Sequence, residues 1–126
     1  MKILVIDDDD VVSQAIGAIL ASRKYETVLA PRATVGIFAF SFNRFDLVIV
    51  DIFMPGMGGL DTIARIRRAS AVPIIAASGF KLQHMPSTDF FSSALRCGAT
   101  VCLRKPFTPP QLLAAIDKCL STVSCA

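Results

Sequence analysis

Leu47-Val48-Ile49-Val50-Asp51, followed by Ile52-Phe53-Met54-Pro55-Gly56-Met57-Gly58-Gly59, is the stretch on which the fold turns. Four consecutive apolar residues bounded by turn signals read as a strand buried on both faces, the pattern of a parallel sheet. The run stops on a carboxylate. Met54 to Gly59 cannot continue a strand and supplies a loop, after which Leu60, Ile63, Ala64 and Ile66 recur at helical spacing. The unit is thus a strand, a polar residue at its carboxyl end, and a helix.

The same unit repeats on either side. Ile3-Leu4-Val5-Ile6 ends on Asp7-Asp8, and Val11, Val12, Ala15, Ile16, Ile19 and Leu20 follow at helical spacing, with Asp9 or Asp10 placed to cap the helix. Glu26 to Ala30 reads as a second strand, and Pro31 opens a helix containing Val35, Ile37, Phe38, Phe40 and Phe42. Downstream, Pro73 to Ala77 is a fourth strand ending at Ser78-Gly79. Phe80 to Asp89 reads as a loop broken by Pro86, before a helix with Phe90, Phe91, Ala94 and Leu95 that Gly98 stops. Val101 to Leu103 is a short fifth strand, Lys105-Pro106 follows it, and Leu112, Leu113, Ile116 and Leu120 mark a last helix behind Pro109-Pro110. Five strand–helix pairs in strict alternation predict an α/β fold with right-handed crossovers and a doubly wound parallel sheet.

A chain of 126 residues fits one domain, 1–126, and is too short for a catalytic domain plus an output domain. Net charge is +3, from 13 basic and 10 acidic residues, with no basic run longer than Arg67-Arg68, so no electrostatic nucleic-acid footprint is evident. Apolar residues make up 53% of the chain, yet no apolar run approaches a membrane span. The N-terminus enters a strand without the features of a secretory signal, which makes a cytoplasmic address the default expectation. The closing residues Ser121 to Ala126 are not an obvious linker and favour a natural terminus. Cys97, Cys102, Cys119 and Cys125 have neither metal-finger nor redox-motif spacing and read as reduced thiols used as small apolar groups.

In open α/β sheets, groups at the carboxyl ends of the strands meet along one edge. Asp7-Asp8, Asp51, Ser78 and Lys105 all stand there. Three carboxylates in one pocket repel one another by about 3 kcal/mol per pair at ~5 Å and an effective dielectric of ~20. Such a cluster calls for a cation, and hard oxygen ligands without His or Cys favour Mg²⁺, which prefers sites shared with phosphate oxygens. Lys105 supplies a point charge for phosphate, and the Ser78 hydroxyl a donor to a second phosphoryl oxygen. Asp51, alone at the end of a central strand, is the candidate nucleophile, since carboxylates form aspartyl phosphates.

Asp7-Asp8 after the first strand, Asp51 with Met54-Pro55 and Gly59, Ser78 after Pro73-Ile74-Ile75, and Lys105-Pro106-Phe107 together resemble the receiver domain of two-component response regulators. The resemblance covers nearly the whole chain in order and implies a flavodoxin-like (βα)5 domain. It implies Asp51 as phosphoacceptor, Asp8 as a direct Mg²⁺ ligand, Asp7 as a ligand through water, the Phe53 backbone carbonyl as a further ligand, and Ser78 and Lys105 as holders of the phosphoryl group. It also implies a cis peptide before Pro106. The donor would be a phosphohistidine on a histidine kinase or a histidine phosphotransfer protein, and the output a change in binding to a downstream protein. The protein would be a self-modifying phosphoacceptor with at most autophosphatase activity, rather than an enzyme, and would contact neither nucleic acid nor membrane directly.

The chain departs from the family's pattern in several places. Cys102 stands three residues before the lysine, where the family usually has an aromatic ring, and reads as a small buried filler. Ser78 to Lys105 spans 27 positions, longer than usual, with the surplus in the Lys81 to Asp89 region. His84 reads as a solvated loop residue. Phe53 and Phe80, two residues beyond Asp51 and Ser78, would hinder an attacking water and predict a slowly hydrolysing acyl phosphate, while the alternative is that both rings only cover core. Phe38, Phe40 and Phe42 cannot all face inward, because steps of two residues rotate by about 200° around a helix. An exposed member marks an interface, compatible with homodimerisation or docking on a kinase.

Two other readings compete. Asp7, Asp9 and Val11 loosely fit the first motif of haloacid-dehalogenase-like phosphatases, with Asp7 as nucleophile and Asp9 as acid/base. That family's later acidic pair is lacking, only Asp117 remaining beyond the lysine, and the Asp51 motif is left unexplained. Cys102 and the long loop also allow a degenerate receiver that binds partners without phosphate.

Overall fold

In the computed structural model, which describes residues 1–54, 56–79 and 87–124, strands and helices alternate throughout. In chain order these are β1 (Lys2–Ile6), α1 (Asp10–Ser22), β2 (Glu26–Ala30), α2 (Ala33–Phe42), β3 (Leu47–Asp51), α3 (Gly59–Ala69), β4 (Ile74–Ser78), α4 (Ser87–Cys97), β5 (Val101–Arg104) and α5 (Pro109–Ser124). The strands form one parallel sheet in the order β2-β1-β3-β4-β5. The expected doubly wound α/β architecture is therefore present.

Alternation along each strand divides the core between the two faces of the sheet. Leu4, Ile6, Val48, Val50, Ile74 and Ala76 point to one side, where they meet Ala33 of α2, Ile63 and Ile66 of α3 and Ala94 of α4. Ile3, Val5, Leu47, Ile49 and Ile75 point to the other, against Ile16 and Leu20 of α1 and Leu112 and Ile116 of α5. Both faces are dry, which is why β1, β3 and β4 read as unbroken apolar runs rather than alternating ones.

Several boundaries differ from the sequence reading for local reasons. Asp9, not Asp10, caps α1, its carboxylate accepting the Val11 and Val12 amides. Within α1 the buried positions are Ser13, Ile16 and Leu20. Val11 is instead 78% exposed. Helix α2 begins at Ala33 rather than at Pro31, with Arg32 at the cap and no side-chain cap bond. β4 starts after Pro73, and β5 runs one residue further than expected, to Arg104. Helix α4 starts at Ser87, inside the stretch read as loop, while Phe80, His84, Pro86 and Cys125 lie outside the described residues.

Gly98 ends α4 as expected. It sits at φ +120, and its amide and that of Ala99 both donate to the Ala94 carbonyl. A side chain there would also collide with Arg67, whose guanidinium donates twice to the Gly98 carbonyl, at 2.7 and 3.0 Å. Helix α2 has no charged residue, yet Phe38 and Phe42 are 67% and 73% exposed, their rings 4.8 Å apart. Phe40 instead stacks on Phe45 beneath the helix. The geometric impossibility of burying all three rings is met by exposing two. No helix among the described residues is long and apolar enough to cross a membrane.

Candidate phosphoryl and metal site

The carboxyl ends of β1, β3 and β4 and the residue after β5 lie along one edge of the sheet. Asp7 is buried, with Oδ1 accepting the Asp9 amide at 2.9 Å and Oδ2 accepting from Lys105 Nζ at 2.5 Å. The Asp7 backbone is held too, since its amide donates to the Ala30 carbonyl and its carbonyl accepts from the buried Ser13 hydroxyl. Asp51 is also buried, and its Oδ1 accepts the Phe53 amide at 3.3 Å. Lys105 Nζ lies 3.5 Å from the same oxygen. The Lys105 side chain thus reaches from β5 back over the sheet to β1, while its own amide donates to the Ser78 carbonyl at 2.7 Å.

One oxygen from each of Asp7, Asp8 and Asp51 can be chosen so that all three lie within 4.8 Å of one another. Asp8 Oδ1 is buried and has no hydrogen-bond partner among the described residues. A buried carboxylate oxygen left unpaired beside two other carboxylates is costly without a cation, and three oxygen donors of this kind suit a hard divalent ion. Burial first, then the neighbouring Asp7 and Asp8 charges, raise the Asp51 pKa to about 6, against the opposing pull of Lys105 and the Phe53 amide. Lys105 therefore compensates two of the three carboxylates. Lys105→Gln is expected to lower stability at neutral pH by on the order of 2 kcal/mol, because removing one member of a buried pair strands the other. Urea unfolding at pH 7.5 without divalent ions measures this, and an unchanged midpoint would show that Lys105 carries no such load.

Two further features shape the pocket. Gly59, at the start of α3, packs on the strand end itself: a Cβ there would lie 2.1 Å from the Asp51 carbonyl oxygen and 2.5 Å from Ile52 Cα. Beside Asp51 and Lys105 opens a cavity of about 360 Å³, walled by Val11, Val12, Ala15 and Ile19 of α1 and by Pro106 and Phe107. The Lys105–Pro106 peptide is cis.

A profile of the response regulator receiver domain family matches residues 3–117. This chain belongs to that family. Among curated relatives, the receiver is 31% identical over 115 residues to the DNA-binding response regulator MtrA of Mycobacterium tuberculosis, covering 91% of this chain and 48% of MtrA. It is 29% identical to the nisin biosynthesis regulatory protein NisR of Lactococcus lactis, covering 92% of this chain and 48% of NisR. The chain thus spans about half the length of the curated relatives it matches. A solved response regulator receiver domain protein from Clostridium thermocellum superposes with a TM-score of 0.87 at 31% identity, covering 98% of this chain and 97% of that one. NtrX from Brucella abortus, solved with ADP, gives 0.89 at 27% identity, over 98% of this chain and 28% of NtrX.

All the residues the sequence singled out for the receiver site stand at this edge. Asp7, Asp51 and Lys105 are in direct contact, Asp8 adjoins them, and Ser78 is buried on the strand between Asp51 and Lys105. Cys102 is half-buried, its thiol directed at the Phe91 carbonyl at 3.6 Å, and burial raises its pKa, as befits a filler rather than a reactive thiolate. Asp9 caps α1 through Oδ1, which accepts both the Val11 and the Val12 amide. The sequence reading named Val11 and Phe90 but missed that Val11 is exposed and that the Phe90 ring meets Phe53 edge-on at 4.5 Å, and it overlooked Ser13. Only Ser13 left a trace in the sequence: a small polar residue at a position the helical period assigns to the buried face.

Proposed function

We propose that the chain is a phosphoacceptor receiver in which Asp51 takes a phosphoryl group from phosphohistidine. The observation that carries this is the Asp7, Asp8 and Asp51 cluster with Lys105 Nζ on two of its members. An Asp51 carboxylate oxygen attacks phosphorus in line, the P–N bond to the donor imidazole breaks, and its electron pair leaves with the ring, which takes a proton from solvent. Asp7, Asp8, Asp51 and the Phe53 carbonyl would hold Mg²⁺, which supplies charge neutralisation for the carboxylates and the transferring phosphoryl oxygens. Lys105 exchanges a carboxylate for a phosphoryl oxygen, and the Ser78 hydroxyl donates to another. The added charge of about −1.5 to −2 then biases a surface that includes α4 and α5.

The donor is a histidine kinase or a histidine phosphotransfer protein, and the output is altered binding to a downstream protein rather than direct nucleic-acid contact. The apolar cavity beside Asp51, with Val11 exposed at its rim, supports a protein donor that buries apolar side chains as it presents its histidine. We read residues 1–126 as one such domain, working in the cytoplasm. Pairing with a second copy would cover Val35, Phe38 and Phe42 of α2. A concentration-independent monomer mass in sedimentation would exclude that pairing.

Incubation with Mg²⁺ and acetyl phosphate tests the proposal by intact mass. One added phosphoryl group is expected, dependent on Mg²⁺ and slow to disappear once the donor is removed, because Phe53 sits half-buried beside Asp51. Rapid loss would remove the shielding role of Phe53. No adduct would favour a degenerate receiver acting as a phosphate-independent binding module. Phosphatase turnover that survives Asp51→Asn and disappears with Asp7→Asn would favour the haloacid-dehalogenase-like alternative.

A further inference from the structure

With Cys102 where the family usually carries an aromatic ring, the route by which Asp51 communicates with α4 must run elsewhere. Beyond the packing of Ala94 into the core, two contacts among the described residues tie the surroundings of the site to α4, and they fall on adjacent residues. The first comes from β5, where the Cys102 thiol meets the Phe91 backbone carbonyl at 3.6 Å. This link is weak and lacks a ring that could turn. The second comes from the loop after β3, where Phe53 and Phe90 form an edge-to-face pair with centroids 4.5 Å apart and planes at 78°. That geometry is the preferred one for aromatic pairs.

Phe53 is tied to the reacting carboxylate through its main chain, its amide donating to Asp51 Oδ1 at 3.3 Å. Its ring is half-buried and packs with Phe90 and Phe91 into the core cluster on the α2, α3 and α4 face of the sheet. Anything attached to Asp51 must be accommodated by this peptide, and any shift of the peptide moves the ring on which α4 rests. We propose that Phe90 is a positioning residue for the phosphoryl site, its ring seating Phe53 over Asp51 so that the state of Asp51 and the position of α4 are coupled through the Phe53–Phe90 pair. The inference rests on the reading of Asp51 as phosphoacceptor. Coupling of this kind is reciprocal in free energy, so loosening α4 also changes how well Asp51 holds its phosphoryl group.

The test compares the native chain with Phe90→Leu, Phe90→Tyr, Phe53→Leu and the Phe53→Leu/Phe90→Leu double variant. Intact mass follows the lifetime of the adduct formed with Mg²⁺ and acetyl phosphate, and amide NMR shifts of Leu95, Arg96 and Cys97 follow α4. Phe90→Leu is expected to shorten the lifetime by about two- to tenfold, the range an edge-to-face pair can supply, and to shrink the α4 shifts on phosphorylation. Phe90→Tyr, which keeps the ring, is expected to restore both. The double variant is expected to match Phe53→Leu alone, since both changes break one contact. A native lifetime and full α4 response in Phe90→Leu, or effects that simply multiply in the double variant, would overturn the coupling while leaving Asp51 as the acceptor. No adduct on the native chain would instead bring down the phosphoacceptor reading, and the coupling with it.

Discussion

Asp51→Asn is expected to gain no phosphoryl group from acetyl phosphate and Mg²⁺, and at the same time to make the metal-free fold more stable at neutral pH. The first effect follows from the loss of the nucleophilic carboxylate oxygen. The second follows from the raised pKa. Burial and the Asp7 and Asp8 charges bring Asp51 to about 6 in the folded chain, despite Lys105. In the unfolded chain it returns to an ordinary value near about 3.9. A carboxylate whose folded pKa is raised costs stability above that pKa, and the cost fades as pH falls toward the unfolded value. With about 1.36 kcal/mol per unit, the penalty at pH 7.5 is about 3 kcal/mol and vanishes below about pH 4. Urea unfolding of both chains without divalent ions, at pH 7.5 and at pH 4, reads the difference. A stability gain for Asp51→Asn that is the same at both pH values would show that the site's electrostatics are not its cause. Mg²⁺ is expected to stabilise the native chain and to stabilise Asp51→Asn less, because the substitution weakens one ligand of the ion's site.

Gly59→Ala is expected to cost about 3 kcal/mol or more and to slow phosphorylation, because overpacking against backbone has no rotamer to relieve it. The added Cβ would lie 2.1 Å from the Asp51 carbonyl and 2.5 Å from Ile52 Cα, so α3 and the end of β3 must separate. Those two residues carry the proposed acceptor carboxylate and the start of the loop leading to Phe53. Gly36→Ala provides the contrast: its Cβ would meet Ile6 Cδ1 at 2.4 Å and Cγ1 at 2.6 Å, side-chain rather than main-chain atoms. A smaller loss is expected there. Equal unfolding midpoints for the two variants would contradict the distinction between backbone and side-chain collisions.

Much of the fold was legible because its signals are local and repeated. Apolar runs of four or five residues ended by Asp7, Asp51 and Ser78 fit dry parallel strands, and the helical periods between them leave the chain little choice of crossover. The same punctuation located the site, since the carboxyl ends of parallel strands share one edge. Helix boundaries were less legible. Val11 looks apolar enough for the core, yet it lies on the outer face of α1, and the buried position nearby belongs to Ser13. Hydrophobicity alone cannot separate a core position from the wall of a cavity, because both are apolar and only the packed neighbours differ.

The order of elements, the two-sided burial of the sheet and the set of residues brought to its edge were all written into the chain. They follow from side-chain periodicity and from chain direction, which need no coordinates. Packing in three dimensions settled the rest: which oxygens Lys105 reaches, that Asp8 Oδ1 finds no partner among the described residues, that Asp9 rather than Asp10 is spent on a helix cap, and that Phe53 leans on Phe90. The Lys105–Asp7 contact joins residues 98 positions apart, and its length is set by how the helices settle on the sheet. No local propensity encodes that settling; it is fixed by close packing of the core as a whole.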